Sequence, residues 1–167
     1  MLPKSDEARH LVETLGLEEH PEGGWYRRWW TAPDAESASE TGSRSEQQRG
    51  AGSSIQYLLE GKEAARWHRI DASEIWVHSA GSPVVLSQWS DSTHSAASSI
   101  VEMTLGGRDL ATGEGGDGDL LFQAVVEPDV WQSARCAGDW ALVICVVVPE
   151  FQFENFEMAP DGWSPPR

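Results

Sequence analysis

A short stretch between residues 66 and 81 carries the residue types that could do chemistry. It reads RWHRIDASEIWVHSAG. Residues two apart in a β-strand share a face, so a tight turn at residues 71–73 would return His68 and Glu74 to one cavity. The residues that follow Glu74 at this spacing would then point to the same side. The spacing predicts a pocket lined by His68, Glu74, Trp76 and His78.

Proton transfer is the chemistry that this pocket would support. An imidazole with a pKa near 6.5 gains and loses protons at neutral pH, which makes His68 the candidate general base. Glu74 or Asp71 would orient its second ring nitrogen. We therefore predict His68 and Glu74 as the catalytic pair. Removal of a proton beside a carbonyl, as in sugar epimerases and aldose–ketose isomerases, needs such a base.

Arginines near the same stretch could hold a phosphate group through paired N–H donors. Strict alternation along the strand places Arg66 on the face of His68, and Arg69 with Trp67 on the other face. Arg27, in a separate aromatic segment, is a further candidate. We expect Arg66 to bind ligand inside the pocket.

The elements that must position these residues are mostly strands. One helix is predicted from Ser5 to Leu15, with Ser5 as its N-cap and Gly16 at its end. Residues 32–52 lack periodic apolar residues and are expected to form a mobile loop. The glycine-rich residues 113–118 are expected to be a solvated hairpin rather than a calcium loop. Short apolar or alternating runs predict strands at Trp25–Trp30, Ser53–Leu59, Ala64–Ile70, Glu74–His78, Pro83–Trp89, Ile100–Leu105, Leu120–Val126, Val130–Ala134, Trp140–Val148 and Phe151–Phe156.

This series of strands predicts an all-β fold. No βαβ alternation and no repeat of fixed period is present, which disfavours parallel sheets, propellers and solenoids. The remaining architecture is a double-stranded β-helix, a jelly-roll barrel, with one N-terminal helix. The length of 167 residues suits a single domain over 1–167.

The stretch described above resembles the first cupin motif, with His68 at the first histidine, Glu74 at the glutamate and Gly81 at the closing glycine. Ile70 replaces the second histidine. In the second motif, Gln132 stands at the position of the last histidine. The order of HPEGG, ARWHR, SEIW and VWQ along almost the whole chain is similar to an uncharacterised cupin family, a domain of unknown function (Cupin_5-like) of the RmlC-like jelly-roll superfamily.

The resemblance implies a homodimeric jelly roll, similar in shape to the sugar-nucleotide epimerases, with a polar pocket and no settled activity. A metal ion would be held by His68, Glu74 and Gln132. Ile70 cannot bind an ion and Gln132 is a weak neutral donor, so a divalent metal is possible but disfavoured, and the cofactor is unknown. The positions that match the family are Trp67, His68, Glu74, Trp76 and Gln132.

Several of these residues also have a simpler structural interpretation. His68 and His78 could be hydrogen-bonded core residues, and His20 a turn residue preceding glycines of positive φ at 23 and 24. Trp67, Trp76 and Trp131 could stack on a ligand or pack in the core. The leading hypothesis is a small-molecule-binding cupin for a sugar phosphate or nucleotide-type ligand. The alternatives are a sugar isomerase or epimerase that uses His68 as general base, a weakly metal-dependent enzyme, and a purely structural barrel.

The amino-acid composition limits the classes of molecule that this protein could bind. The formal charge of −15 disfavours nucleic acids and anionic membranes. Only Cys136 and Cys145 are present, which fits a reducing compartment, and no apolar run suits a membrane span or an export signal. A cytoplasmic protein is expected. The nearly continuous apolar run 140–148 predicts a central strand covered on both faces or placed in a dimer interface, and a homodimer is the commonest assembly.

Overall fold

The N-terminal helix forms as its sequence predicts. In the computed structural model, which describes residues 3–33, 49–61, 64–90, 99–107 and 121–166, helix α1 spans Asp6–Leu15. The Ser5 hydroxyl accepts a hydrogen bond from the backbone N–H of Ala8 at 3.1 Å. Gly16 ends the helix in the left-handed conformation with φ of 63°. Among the described residues no helix has the length and apolar character needed to cross a membrane.

Strands make up most of the rest, and they form two antiparallel sheets. The all-β jelly roll with one helix is confirmed. The six-stranded sheet has the order β1-β2-β3-β10-β5-β8, and the five-stranded sheet has the order β11-β4-β9-β6-β7. The strands are β1 (Glu18–Glu19), β2 (Trp25–Thr31), β3 (Ser53–Glu60), β4 (Ala64–Ile70), β5 (Ser73–Gly81), β6 (Val84–Trp89), β7 (Val101–Leu105), β8 (Gln123–Val126), β9 (Trp131–Cys136), β10 (Trp140–Val148) and β11 (Phe156–Met158).

The core lies between the sheets, and alternation of buried and exposed residues is clearest in β10. Along β10, for example, Ala141, Val143, Cys145 and Val147 are all buried while their neighbours are more exposed. Trp76 of β5 and Tyr57 of β3 meet edge to face in this core, with ring centroids 5.9 Å apart. The inward faces of both sheets therefore pack into one main cluster.

The fold differs at two places from the local structure predicted from the sequence. The predicted strand at residues 151–156 is instead a short 3₁₀-helix, Phe153–Asn155, followed by β11. Its three phenylalanines pack on one another rather than alternating across a sheet. The short strand β1 was not predicted, because two glutamates give no apolar signal.

The two ends of the predicted mobile loop 32–52 are held in place by hydrogen bonds. Ala32 N–H donates to Gly52 O at 2.7 Å, and Gly50 N–H donates to Glu150 Oε2 at 3.0 Å. Arg49 also donates to both carboxylate oxygens of Asp71. The rest of that loop, 34–48, and the predicted hairpin at 113–118 lie outside the described residues.

The N-cap gives a direct stability prediction. Ser5→Ala removes the acceptor for the Ala8 N–H and is expected to cost about 1 kcal/mol of unfolding free energy. Ser5→Gly is the matched comparison, because glycine at an N-cap costs only a few tenths of a kcal/mol. Urea denaturation of the two variants measures both values. No measurable loss in Ser5→Ala would contradict a capping role for the hydroxyl.

Candidate active site

A cavity of about 300 Å³ lies between the sheets, with one polar end and one apolar end. Strands from both sheets supply its walls, and the segment 151–156 closes one side. The polar end contains carboxyl and imidazole groups, and the apolar end is largely aromatic. The lining residues are Glu18, His20, Glu22, Tyr26, Arg28, Ser53, Ile55, His68, Ile70, Glu74, Cys145, Val147, Phe151, Phe153 and Phe156.

His68 is the central group of the polar end. Its Nδ1 lies 2.8 Å from the backbone oxygen of Arg66 and 3.0 Å from Glu22 Oε2. A carbonyl oxygen can only accept, so Nδ1 carries the proton and Nε2 of the neutral ring holds a lone pair. Among the described residues nothing hydrogen-bonds Nε2. Burial lowers the pKa of His68 and outweighs the opposing effect of Glu74, so the ring is neutral and basic at Nε2.

Glu22 reaches His68 from a tight loop. Its backbone oxygen accepts the Arg66 N–H at 2.9 Å, which holds the loop against β4. Gly24 completes the turn with φ of 72°, and a Cβ at that residue would lie 2.6 Å from Leu58 O. Burial raises the pKa of Glu22 to about 8, although its hydrogen bond with Tyr57 acts in the opposite direction. The Glu22 carboxyl is therefore protonated at neutral pH.

Glu74 anchors a second, deeper hydrogen-bond chain. Its Oε2 accepts from Gln132 Nε2 at 2.6 Å, and Gln132 Oε1 accepts from Trp76 Nε1 at 2.9 Å. Burial raises the pKa of Glu74, against the smaller opposing effects of His68 and Gln132. The thiol of Cys145 also hydrogen-bonds Glu74, and burial keeps the pKa of that thiol high, so it stays protonated. The chain fixes the Glu74 carboxyl in one orientation.

His20 is both a turn residue and part of the cavity wall. Its Nδ1 accepts the Glu22 N–H at 3.3 Å, and its ring meets Tyr26 edge to face at 4.5 Å. Burial, followed by repulsion from His68, lowers the pKa of His20 to about 4. The sequence interpretation of His20 as a turn residue was therefore incomplete. Gly23 and Gly24 have the positive φ expected of them.

The apolar end is formed by Phe151, Phe153 and Phe156. Their ring centroids lie between 4.9 and 6.3 Å apart, and Phe156 lies 5.5 Å from the His68 ring. Phe153 is 48% exposed, which places it at the mouth. The Arg28 guanidinium is also at the mouth, where it donates to Glu150 at 2.8 Å and to Phe151 O at 3.1 Å. Of the described residues that line the cavity, Arg28 is the one arginine, and it lies at the rim.

The structure brings only two of the residues predicted from the sequence into the cavity wall. His68 and Glu74 line it together. The predicted hairpin at 71–73 is wrong, because β4 and β5 lie in different sheets and the link between them crosses from one sheet to the other. Gln132 and Trp76 lie behind Glu74 as buried supports. Trp67 packs instead against Trp163 in a separate tryptophan cluster with Trp89 and Trp131.

The expectation that Arg66 shares a face with His68 is wrong. The pairing of β4 with β9 shifts register between Ala65 and His68, so these two residues both point inward with two residues between them. Arg66 consequently points out and pairs with Asp161 and with Ala159 O. A bulge of this kind reverses the alternation of every residue before it.

His78 is also outside the cavity wall. At about 3.3 Å of rise per residue, four residues of β5 carry it about 13 Å from Glu74. Its Nε2 lies 3.0 Å from Ser82 O, and its ring packs directly on Gly106. The structure therefore gives His78 packing contacts that explain its position.

The metal set expected from the resemblance is poorly formed. Gln132 uses both amide atoms within the fold, and Ile70 is an apolar part of the wall. The described residues contain no group of three or more His, Cys, Asp or Glu side chains placed to hold an ion. These residues do not match the donor number that a divalent transition metal needs.

Sequence reasoning missed Glu22, Cys145 and the three phenylalanines. Only Glu22 could have been found from the sequence, because it lies within the HPEGG segment on which the family resemblance depends. Cys145 and the phenylalanines gave none, since apolar residues at those positions are equally typical of a core.

A jelly roll with a ligand-sized cavity bearing buried histidine and carboxyl groups defines a protein of the cupin class. Residues 9–159 match the family described as Cupin superfamily (DUF985), and the chain belongs to that family. No curated protein matches the sequence.

Solved structures agree with the fold. A protein from Shewanella oneidensis is 29% identical, with a TM-score of 0.68 over 90% of this chain and 82% of the other. A hypothetical protein from Leishmania major is 23% identical, with a TM-score of 0.70 over 91% and 86%. A dTDP sugar isomerase from Desulfovibrio desulfuricans is 17% identical, with a TM-score of 0.54 over 83% of each chain. The last two show a shared fold.

The buried carboxyl of Glu22 makes stability depend on pH. Its pKa of about 8 in the folded state exceeds the ordinary value of 4.5, so the folded state is favoured below 4.5 and loses stability as pH rises toward 8. The variant Glu22→Gln has no carboxyl group to ionise at this position, so this loss of stability is absent. We expect the stability of the variant relative to the parent to rise by at most about 1.4 kcal/mol per pH unit in this window. Urea denaturation across the window measures the difference, and a constant difference would contradict a raised pKa.

Proposed function

We propose that this cupin binds a small sugar-type ligand in its cavity and transfers protons to and from it, as a sugar isomerase or epimerase does. The observation that carries the proposal is the state of His68. Its Nδ1 is held by Arg66 O and Glu22, and no described residue occupies Nε2 in a cavity that two buried carboxyls share. This arrangement presents a neutral, oriented base to a bound molecule.

The shape of the cavity supports a sugar ring as ligand. About 300 Å³ is at the lower limit of small-molecule pockets and suits one ring. The aromatic end can stack on the apolar face of a sugar, and the carboxyl and imidazole groups can bind hydroxyls. Arg28 at the rim is the group that would meet a phosphate. A sugar phosphate or nucleotide sugar would thus place its ring inside and its phosphate at Arg28.

The residues supply both halves of a proton transfer. His68 Nε2 accepts the proton from a carbon beside a carbonyl, and the ring becomes a cation next to Glu74 and Glu22. The protonated carboxyl of Glu22 donates a proton to the carbonyl oxygen, which gives a neutral enediol or enol. For isomerisation, the His68 cation returns the proton to the other carbon while the Glu22 carboxylate takes the hydroxyl proton from the first carbon, which becomes the new carbonyl. For epimerisation, a proton reaches the other face of the same carbon while the Glu22 carboxylate takes back the proton of the enol oxygen. A homodimer in the cytoplasm remains our prediction for the assembly and its location.

A thermal-shift screen of metal-stripped protein tests the ligand class. The probes are free hexoses, hexose phosphates, nucleotide sugars, nucleotides and divalent ions. A ligand at about 100 times its dissociation constant adds about 2.7 kcal/mol to stability. We expect hexose phosphates or nucleotide sugars to raise the melting temperature. A shift with Mn²⁺, Ni²⁺ or Zn²⁺ alone, lost in Glu74→Ala, would replace this proposal with a metal-dependent site.

Arg28→Met tests the placement of the phosphate. Loss of the rim guanidinium is expected to weaken binding of the phosphorylated ligand by about 10- to 100-fold, because a charge-assisted hydrogen bond is worth about 1.5–3 kcal/mol. Binding of the unphosphorylated sugar should be unchanged. Arg9→Met, on the exposed face of α1, is the matched control. Isothermal titration of the parent and both variants with each ligand measures the six affinities. Equal weakening of both ligands in Arg28→Met would contradict a phosphate at Arg28.

A further inference from the structure

The cavity wall opposite His68 carries a second group that can transfer a proton. His68 lies on β4 of the five-stranded sheet, and Cys145 lies on β10 of the six-stranded sheet, between β3 and β5. Both side chains are buried between the sheets and line the cavity. Packed sheets are about 10 Å apart, which leaves room for one sugar ring between the two walls. A ring bound there would present one face to His68 and the other face to Cys145.

Cys145 is the best placed of the described proton-carrying groups on its wall. Glu18 and Tyr26 lie on β1 and β2 at one edge of the sheet, whereas Cys145 lies on an inner strand and is 1% exposed. The hydroxyl of Ser53 is a far weaker acid than a thiol, and its oxygen already accepts the N–H of Phe151 at 3.0 Å. The thiol is therefore an acid that lies inside the cavity and away from its rim.

The surroundings of Cys145 let it give up a proton and recover one. Burial holds the pKa of the thiol high, so the sulfur carries its proton at neutral pH. The thiol is hydrogen-bonded to Glu74, and the carboxyl of Glu74 is close enough to His68 to act on the pKa of that ring. Glu74 thus connects the proton-transferring groups of the two walls.

We propose that Cys145 is the acid that protonates the second face of the bound sugar, so that the cavity epimerises its ligand rather than isomerising it. This inference rests on the proposed function. His68 Nε2 removes the proton beside the carbonyl from one face, while the Glu22 carboxyl gives its proton to the carbonyl oxygen. The Cys145 S–H then gives its proton to the other face of the same carbon, and Glu22 takes back the proton of the enol oxygen.

The protons balance over one turnover. The sugar loses one proton to His68 and gains one from Cys145, so one carbon is inverted and the composition of the sugar is unchanged. His68 is left as a cation and Cys145 as a thiolate, and Glu74 passes a proton from the ring to the sulfur. Isomerisation would not use the thiol, because a base on one face can return the proton to the neighbouring carbon on the same side.

Deuterium labelling in D₂O tests the role of the thiol. The probes are the phosphates of glucose and mannose, which differ in configuration at the carbon beside the carbonyl, and of fructose, which is their common isomer. The parent should convert glucose phosphate into mannose phosphate that carries deuterium at this carbon, because the deuteron comes from the Cys145 sulfur. The unconverted glucose phosphate should contain little deuterium, since the proton held by His68 returns to the face that it left. Proton NMR measures both.

Cys145→Ala is expected to lower the rate of epimer formation by about two to four orders of magnitude. Deuterium should now enter the unconverted sugar, because His68 still removes the proton and the enol is reprotonated only from the same face. Substrate binding, measured by titration, should stay within about threefold of the parent. Cys136→Ala is the matched control, because Cys136 is buried in the same core cluster but does not line the cavity, and it should form the epimer at the parent rate.

The outcomes separate this inference from the proposed function. If circular dichroism shows that Cys145→Ala does not fold, Cys145→Ser takes its place, because the hydroxyl is similar in size but holds its proton more tightly, and the same loss is expected. Epimer formation at the parent rate in the variant, or a parent protein that yields only fructose phosphate, would overturn the role of Cys145 and leave proton transfer by His68 standing. A parent protein that labels none of the three sugars would overturn the proposed function itself.

Discussion

His68→Gln is expected to lower the rate of proton exchange on a bound sugar by about two to four orders of magnitude. Glutamine keeps a polar group in the same space, but it has no basic nitrogen to accept a proton from carbon. The measurement is incorporation of deuterium from D₂O into hexose phosphates and nucleotide sugars, followed by proton NMR. The parent protein should label the carbon beside the carbonyl.

The control for this prediction is His10→Gln, which makes the same change on the solvent side of α1 and should exchange at the parent rate. Binding is measured in parallel by titration. A protein that binds the sugar tightly but never labels it would be a binding protein rather than an isomerase. Labelling that is equally fast in His68→Gln would assign the base to another residue.

Trp76→Ala is expected to destabilise the fold by about 3–5 kcal/mol, a large part of the stability of a domain of this size. The indole is 1% exposed, contacts Tyr57 edge to face, and donates to Gln132, which in turn holds Glu74. The substitution leaves a cavity in the core and an unpaired buried amide oxygen. Urea denaturation followed by circular dichroism gives the change in free energy.

Two further variants separate packing from hydrogen bonding. Trp76→Phe keeps most of the ring but leaves Gln132 Oε1 without its donor, and is expected to cost about 1–3 kcal/mol. Trp29→Ala removes an indole that is 66% exposed and should cost less than about 0.5 kcal/mol. If Trp76→Ala lost no more unfolding free energy than Trp29→Ala, the hydrogen-bonded side chains of Trp76, Gln132 and Glu74 would have no supporting role in the fold.

The helix and most of the strands were predictable because each is determined by residues that are neighbours in the sequence. The cap at Ser5 and the stop at Gly16 bound the helix, and β4 and β10 have the bounds that their apolar patterns predict. The exceptions are β1, whose two glutamates give no apolar signal, and the segment 151–156. Its aromatic residues satisfy a strand pattern, but they pack on one another and on the cavity in a 3₁₀ turn.

The site was predictable only where its residues are close in sequence. His68 and Glu74 are separated by one short link that crosses between the two sheets, so both side chains can reach the space between those sheets. The position of Arg66 depends on a register shift against β9, which no local pattern in β4 reveals. Glu22 comes from a loop whose distance from β4 along the chain gives no hint of the contact with His68.

By itself the sequence determined the strands, the helix, the cupin family and the pair His68 and Glu74, because short-range alternation, capping and motif spacing are properties of neighbouring residues. Tertiary structure alone decided which groups complete the site. Gln132 meets Trp76 across 56 residues and Glu74 across 58, and both contacts exist only because β9 and β5 lie in facing sheets. The same burial that brings Glu22 to His68 raises the pKa of that carboxyl and makes it an acid at neutral pH.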